Sequence, residues 1–308
     1  MLHPAEKIDV SRCHGCGLCA MVCPVYQQGG DVMQTPHGLA KASQRDPELR
    51  REDVFACVLC GACAPLCPQD IDLMQMLVAM RSAFSDKPLP ALNQDKFADQ
   101  KGRVVFIADR KLLADAERRD KVMQLLSHEK AVLASDQADD ISEAMQSGRQ
   151  VSFDRLHQFL TTLQPVRKII ISDGLLQSVI KAKLPQIPMQ SLGHTLSSQQ
   201  AFRRELTAAD FYIMDSQSYH ADYQHMLGYY DALQCETTCQ LSRDLHRLGM
   251  PTGAHAENDF DVRAQINWLL QGRNVNRIVV ESLADYHLLE KHCDQPVSHI
   301  SDIVELLS

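Results

Sequence analysis

Eight of the chain's eleven cysteines stand in two copies of one pattern, C-x-x-C-x-x-C-x-x-x-C-P. The first copy is Cys13, Cys16, Cys19, Cys23 and Pro24; the second is Cys57, Cys60, Cys63, Cys67 and Pro68. Zinc also favours paired C-x-x-C, but it takes four ligands in a tetrahedron, and a third thiolate at the same two-residue step suits it poorly. A disulfide framework is disfavoured as well, because no secretory signal is read at the start of the chain and cytosolic thiols stay reduced. Three thiolates two residues apart do fit three irons of one cubane. The pattern therefore points to [4Fe–4S] clusters, whose chemistry is electron transfer.

The run is similar to the ligand run of bacterial ferredoxin-type proteins that hold two [4Fe–4S] clusters. That resemblance implies a crossed ligand set, in which the fourth cysteine of each run turns away from its own cubane and ligates the other. One cluster is then expected on Cys13, Cys16, Cys19 and Cys67, and the second on Cys57, Cys60, Cys63 and Cys23, with Pro24 and Pro68 beside them. The spacer of 33 residues (24–56) is longer than in small bacterial ferredoxins. It resembles the helical ferredoxin domain of succinate dehydrogenase and heterodisulfide reductase iron–sulfur subunits. Within it, Gln27 to Gly38 reads as loop, with Gly29-Gly30 an isolated turn, and Ala40 to Asp53 reads as a polar helix. After the second run, Ile71 to Phe84 is apolar on nearly all sides and is expected to be a buried helix, its methionines shielding a cluster from water.

The elements that must position these loops come next. A chain of 308 residues has room for two or three domains, and 45% apolar with 23% charged residues is ordinary for a soluble globular protein. Its apolar runs, such as Val104 to Ala108 and Ile169 to Ile171, are strand-length and far short of the ~20 residues that span a bilayer. Any membrane contact is expected to come through a partner. The net charge of -8 argues against nucleic acid, and the cysteine usage points to the cytoplasm. Residues 86–102, with Pro88 and Pro90, read as a linker. Beyond them short apolar strands alternate with helices, the signature of parallel α/β structure.

That second half repeats. Val104 to Asp109 corresponds to Phe211 to Asp215, and the helix starting at Phe153 to the one starting at Phe260. Val166 to Ser172 corresponds to Val275 to Glu281, and Pro188 to Leu192 to Pro296 to Ile300. Four landmarks in one order, offset by 106 (Asp109 to Asp215) to 109 residues (Val166 to Val275), predict two α/β units related by pseudo-twofold symmetry. The expected fold class is α/β with an N-terminal mainly helical ferredoxin domain, divided as 1–85 cluster domain, 86–102 linker, 103–200 first α/β repeat and 201–308 second repeat.

A double cluster run ahead of a duplicated α/β region is similar to the iron–sulfur subunits of glycolate oxidase, of anaerobic glycerol-3-phosphate dehydrogenase and of the heterodisulfide reductases. In that family each α/β repeat usually carries a Cys-Cys-Gly signature able to hold a further cofactor. This chain has no cysteine from Pro68 to Gln234, and its second repeat has only Cys235, Cys239 and Cys293, with Val280 to His287 where a late C-x-x-C would stand. A third centre of that type is not expected. Cys235 and Cys239, four apart on a helix expected over Ala221 to Leu248, would share a face. They read as small buried residues rather than a redox pair, and Cys293 reads likewise as structural. His220, His225, His246 and His255 form no metal-binding spacing, and no dinucleotide fingerprint or phosphate loop occurs. The resemblance implies an electron-transfer subunit with two [4Fe–4S] clusters. Its expected donor is a flavin-dependent dehydrogenase or electron-transferring flavoprotein, and its acceptor a quinone-reactive membrane subunit or a soluble carrier. The alternative is a heterodisulfide-reductase-like enzyme subunit acting through Cys235 and Cys239.

Overall fold

The computed structural model describes residues 10–45, 49–84, 101–241 and 261–304. The cluster-bearing region is made of short helices: α1 (Leu18–Met21), α2 (Pro24–Gly29), α3 (Pro36–Arg45), α4 (Arg51–Phe55) and α5 (Leu73–Ser82). Pro24 opens α2 at a position where its missing N–H costs no hydrogen bond, and Gly30 closes it at φ 67. A 3-10 turn, Val32–Gln34, is capped by the Asp31 carboxylate, which accepts from Met33 N. The stretch 27–38 expected as loop is thus mostly helical turns, because proline and Asp31 supply starts that its polarity conceals. The single helix expected over 40–53 is instead two, α3 and α4. The buried Asp53 of α4 accepts from Arg50 Nε at 2.8 Å and Nη2 at 2.9 Å.

Asp72 caps α5 by accepting from Gln75 N, and Leu73, Met76, Leu77, Val78 and Arg81 bury its inner face. Leu73, Met76, Leu77 and Val78 share one core with Leu39 and Val54 and with Val105, Ile107, Ile169 and Ile171 of the first α/β unit. Helices this short bury too little apolar surface alone, so the cluster region takes its core from the body behind it.

The first unit runs β1 (Val104–Ile107), α6 (Arg110–Ala114), α7 (Ala116–Leu125), β2 (Ala131–Leu133), α8 (Asp139–Ser147), α9 (Phe153–Leu163), β3 (Lys168–Ile171), α10 (Gly174–Lys183) and β4 (Met189–Ser191). Helices α11 (Leu192–Ser197) and α12 (Gln200–Arg204) lead to the second unit. That unit runs β5 (Asp210–Ile213), α13 (Ser216–Ala221), α14 (Tyr223–Thr237), β6 (Gln240–Leu241), α15 (Val262–Leu270), β7 (Arg277–Val280), α16 (Leu283–His292) and β8 (Val297–His299). Both sheets are parallel and have the same order, β2-β1-β3-β4 and β6-β5-β7-β8. Val105 stands opposite Ile169 in one, and Phe211 opposite Ile278 in the other. The four sequence landmarks fall on equivalent elements.

Alternation along the strands divides the interior. Val104, Phe106 and Ile170 meet Tyr212 and Val279 in a core between the two sheets. Val105, Ile107, Ile169 and Ile171 face the cluster region, while Phe211, Ile213, Ile278 and Val280 face α15 and α16. Strands buried on both faces read as continuous apolar runs for this reason. The units also touch reciprocally, α10 against α13 and its counterpart α16 against α6, as a pseudo-twofold requires. A Cβ on Gly174 would lie 2.3 Å from Gln217 Cβ, so the approach of α10 to α13 needs glycine there.

The helix expected over 221–248 is corrected. Asp222 separates α13 from α14, and α14 ends at Thr238, whose φ of 61 turns the chain into β6. Pairing of Gln240 with Phe211 in the sheet outweighs continuation of the helix. Residues 242–248, and 86–100 of the expected linker, lie outside the described residues. Among the described residues no helix is long and apolar enough to cross a membrane.

Candidate metal centre

The eight motif cysteines line two neighbouring cavities, four to each. Cys13, Cys16, Cys19 and Cys67 surround one, with Pro68 in its wall; Cys23, Cys57, Cys60 and Cys63 surround the other, with Pro24 in its wall. The atom-free spaces are similar, about 370 and 300 Å³ including the open solvent at their mouths. Pro36 lines both. The crossing is a backbone matter. Cys23 and Cys67 have the same extended conformation, φ -78 and ψ 117 against φ -76 and ψ 111, each at the edge of a helical turn.

The two loops repeat a second device. Gly15 and Gly17 have φ of 85 and 79, and the matching positions of the other loop, Leu59 and Gly61, have 51 and 83. Left-handed residues among right-handed ones turn successive N–H groups to one side, a concavity suited to an anionic group. Leu59 N donates to Cys57 Sγ at 3.3 Å. For leucine this backbone costs about 1–2 kcal/mol. The side chain is fully buried in the shared core, which offsets that by about 1.5–3 kcal/mol.

The thiols differ in environment. Cys16 is exposed and Cys13, Cys19 and Cys67 are half-buried, whereas Cys23, Cys57, Cys60 and Cys63 are buried. Burial, then Cys13 and Cys16 nearby, pushes the Cys19 thiol up to about 11. Burial, then Cys57, pushes Cys23 up to about 12. Burial likewise raises Cys57, Cys60 and Cys63, and in Cys63 the neighbouring Cys60, Cys57 and Cys23 add to it. Four such thiols ionise together only with positive charge among them, and cluster iron supplies that charge, since a coordinating thiol is deprotonated outright. Among the described residues no three His, Cys, Asp or Glu side chains form a group that could hold a single metal ion. The thiols ring two cavities instead.

Several residues that hold the loops carry no sequence signal. From α13, Ser216 Oγ donates to Cys60 O at 3.0 Å and Gln217 Nε2 to Leu59 O at 3.1 Å. His220 Nδ1 donates to Cys60 O at 3.2 Å and Ser216 O at 2.7 Å, both acceptors being carbonyls. Arg81 from α5 donates to Cys57 O. On the first loop, Lys41 Nζ and Gln44 Nε2 donate to Cys13 O at 3.3 and 3.0 Å. His220 stands out in the sequence only as one of several histidines without a motif, since its partner lies 160 residues away.

The remaining candidates are not brought to the cavities. Cys235 is exposed near the end of α14, and Cys239 is buried beyond it, accepting from Thr237 Oγ1 at 3.1 Å. They do not share a helix face. Cys293 is half-buried at the end of α16, and His225 is exposed beside Asp222, with Nδ1 3.3 Å from its carboxylate. His246 and His255 lie outside the described residues.

Residues 9–71 match a family model described as a 4Fe-4S dicluster domain. The match covers both cysteine runs and stops before α5 and the α/β body. No curated protein and no solved structure matches the chain. A dicluster domain holds two [4Fe–4S] clusters, the eight cysteines fit that content, and the chemistry it implies is electron transfer through iron–sulfur clusters.

Proposed function

We propose that the chain is an electron-transfer subunit of an oxidoreductase complex, akin to the iron–sulfur subunits of glycolate oxidase and anaerobic glycerol-3-phosphate dehydrogenase. Cys13, Cys16, Cys19 and Cys67 hold one cluster, and Cys57, Cys60, Cys63 and Cys23 hold the other. The observation that carries this reading is the gathering of the eight thiols into two neighbouring cavities, four to each, with Cys23 and Cys67 each in the cavity of the other run and Pro36 lining both. Electrons pass singly between the clusters, taken from a flavin-dependent dehydrogenase or electron-transferring flavoprotein that releases them in pairs. They leave to a soluble carrier or a quinone-reactive membrane subunit. The chain's own part is to bury and space the clusters and to donate hydrogen bonds to their loops; the iron supplies the redox chemistry.

Exposed Leu18, Met21 and Tyr26 beside the first loop support a partner surface there, and the α/β body is the scaffold that fixes the second. Cys235 lies exposed on α14 and Cys239 buried beyond its end, an arrangement that does not favour a shared disulfide-reducing pair. Anaerobically purified protein should contain about eight iron and eight sulfide per chain, with magnetically coupled paramagnetic resonance signals after reduction. The crossing is tested by paired variants. Cys16→Ser with Cys67→Ser should remove one cluster and leave about four iron, whereas Cys16→Ser with Cys23→Ser should disturb both. The reverse outcome means uncrossed ligation. A reduced flavoprotein of this kind should reduce the clusters in rapid mixing; failure with every such donor rejects the partner assignment.

A further inference from the structure

Each cluster loop has a cation on the carbonyl of its first cysteine, and the two cations differ in surroundings. Arg81 donates from Nη2 to Cys57 O and from Nη1 to Gln146 O at 2.7 Å. It is 1% exposed, and its Nε has no hydrogen-bond partner among the described residues. Its guanidinium carbon lies 5.0 Å from the centre of the Phe55 ring, over which Arg51 also sits at 4.0 Å. The charged groups that act on it are Cys57 and the like charge of Arg51; among the described residues no carboxylate pairs with it. Lys41, by contrast, is half-buried and shares its ammonium between Cys13 O and the Gln44 side-chain oxygen.

We propose that Arg81 is a positioning residue that sets the reduction potential of the cluster held by Cys23, Cys57, Cys60 and Cys63, raising it above the value its burial alone would impose. Lys41 does the same, more weakly, for the other cluster. A cubane with four thiolates is anionic and becomes more so when it takes an electron. Burial in a low dielectric opposes that added charge, and an uncompensated cation in the same medium favours it. Water and salt screen the half-exposed Lys41, so its field falls off sooner. The two wells therefore respond to different charges, which gives the pair a direction for electron flow that identical loops would lack.

The inference rests on the proposed ligand sets, and the test separates the two. Redox titration monitored by paramagnetic resonance, with iron and sulfide analysis, is applied to the wild type and to Arg81→Met, Arg81→Gln, Arg81→Lys and Lys41→Met. A wild type lacking two clusters defeats the underlying reading. Given two clusters, Arg81→Met and Arg81→Gln should each make one cluster at least tenfold harder to reduce, 59 mV for one electron, and leave the other unmoved. Arg81→Lys should restore most of the loss, which a packing role would not. Lys41→Met should move the other potential, by less than tenfold. If a neutral Arg81 variant keeps both clusters at their wild-type potentials, the proposal is wrong. It also fails if Lys41→Met shifts its cluster tenfold or more, a measurement that needs no change at the buried site.

Discussion

The contact between α13 and the second cluster loop can be weighed with two glycines. Gly61, at φ 83, packs on that helix: a Cβ there would lie 3.0 Å from His220 Cβ and 3.7 Å from its Cγ. His220 has little room to retreat, because its ring is tied to Cys60 O and Ser216 O. Gly30, at φ 67, would point a Cβ into open space. Gly30→Ala should therefore cost only the left-handed backbone, about 1–2 kcal/mol. Gly61→Ala carries that cost plus about 1–3 kcal/mol of overpacking against the helix. The assay is iron release to a chelator under anaerobic conditions. At about 1.4 kcal/mol per tenfold, the extra strain should speed release from the buried cluster by roughly 5- to 150-fold relative to Gly30→Ala. Equal release rates for the two variants would show that α13 does not clamp the loop, and the body would then be a scaffold remote from the cluster.

Two further outcomes follow from buried groups away from the cavities. Glu281, 5% exposed and accepting from Tyr212, Tyr230 and Asp215 N, is pushed up from 4.5 to about 7, chiefly by burial. The folded chain keeps this proton where the unfolded chain has lost it, so its contribution is full below about pH 4.5 and fades as pH rises through about 7. At about 1.4 kcal/mol per pH unit that interval amounts to roughly 3 kcal/mol. Glu281→Gln should flatten the stability profile there in denaturant titrations. Asp173, pushed up to about 6 by burial, should leave a residual slope of the same sign; an unchanged profile refutes the assignment. Cys235→Ala with Cys239→Ala should leave iron content and cluster reduction rates at wild-type values. The thermal midpoint should fall by the equivalent of about 1 kcal/mol from the small void at buried Cys239. Loss of iron or of electron flux would reinstate these thiols as functional.

The sequence by itself determined which residues could ligate clusters and how the body is built. Ligand spacing is local, so Cys13 to Cys23 and Cys57 to Cys67 are legible without a fold, and so are the prolines that follow them. Strands buried on both faces announce themselves as apolar runs, and duplication fixes their order twice, which is why four landmarks recovered equivalent elements of both sheets. Helix ends were less legible: Thr238 closes α14 because β6 must pair with β5, a constraint that no local preference contains. Only the tertiary structure decided what holds the loops. Ser216, Gln217 and His220 reach Leu59 and Cys60 across 156 to 160 residues of chain, and Arg81 reaches Cys57 across 24, all by donating to backbone carbonyls. A carbonyl belongs to every residue and leaves no mark on residue type, so such partners become visible only when packing brings the donor to it.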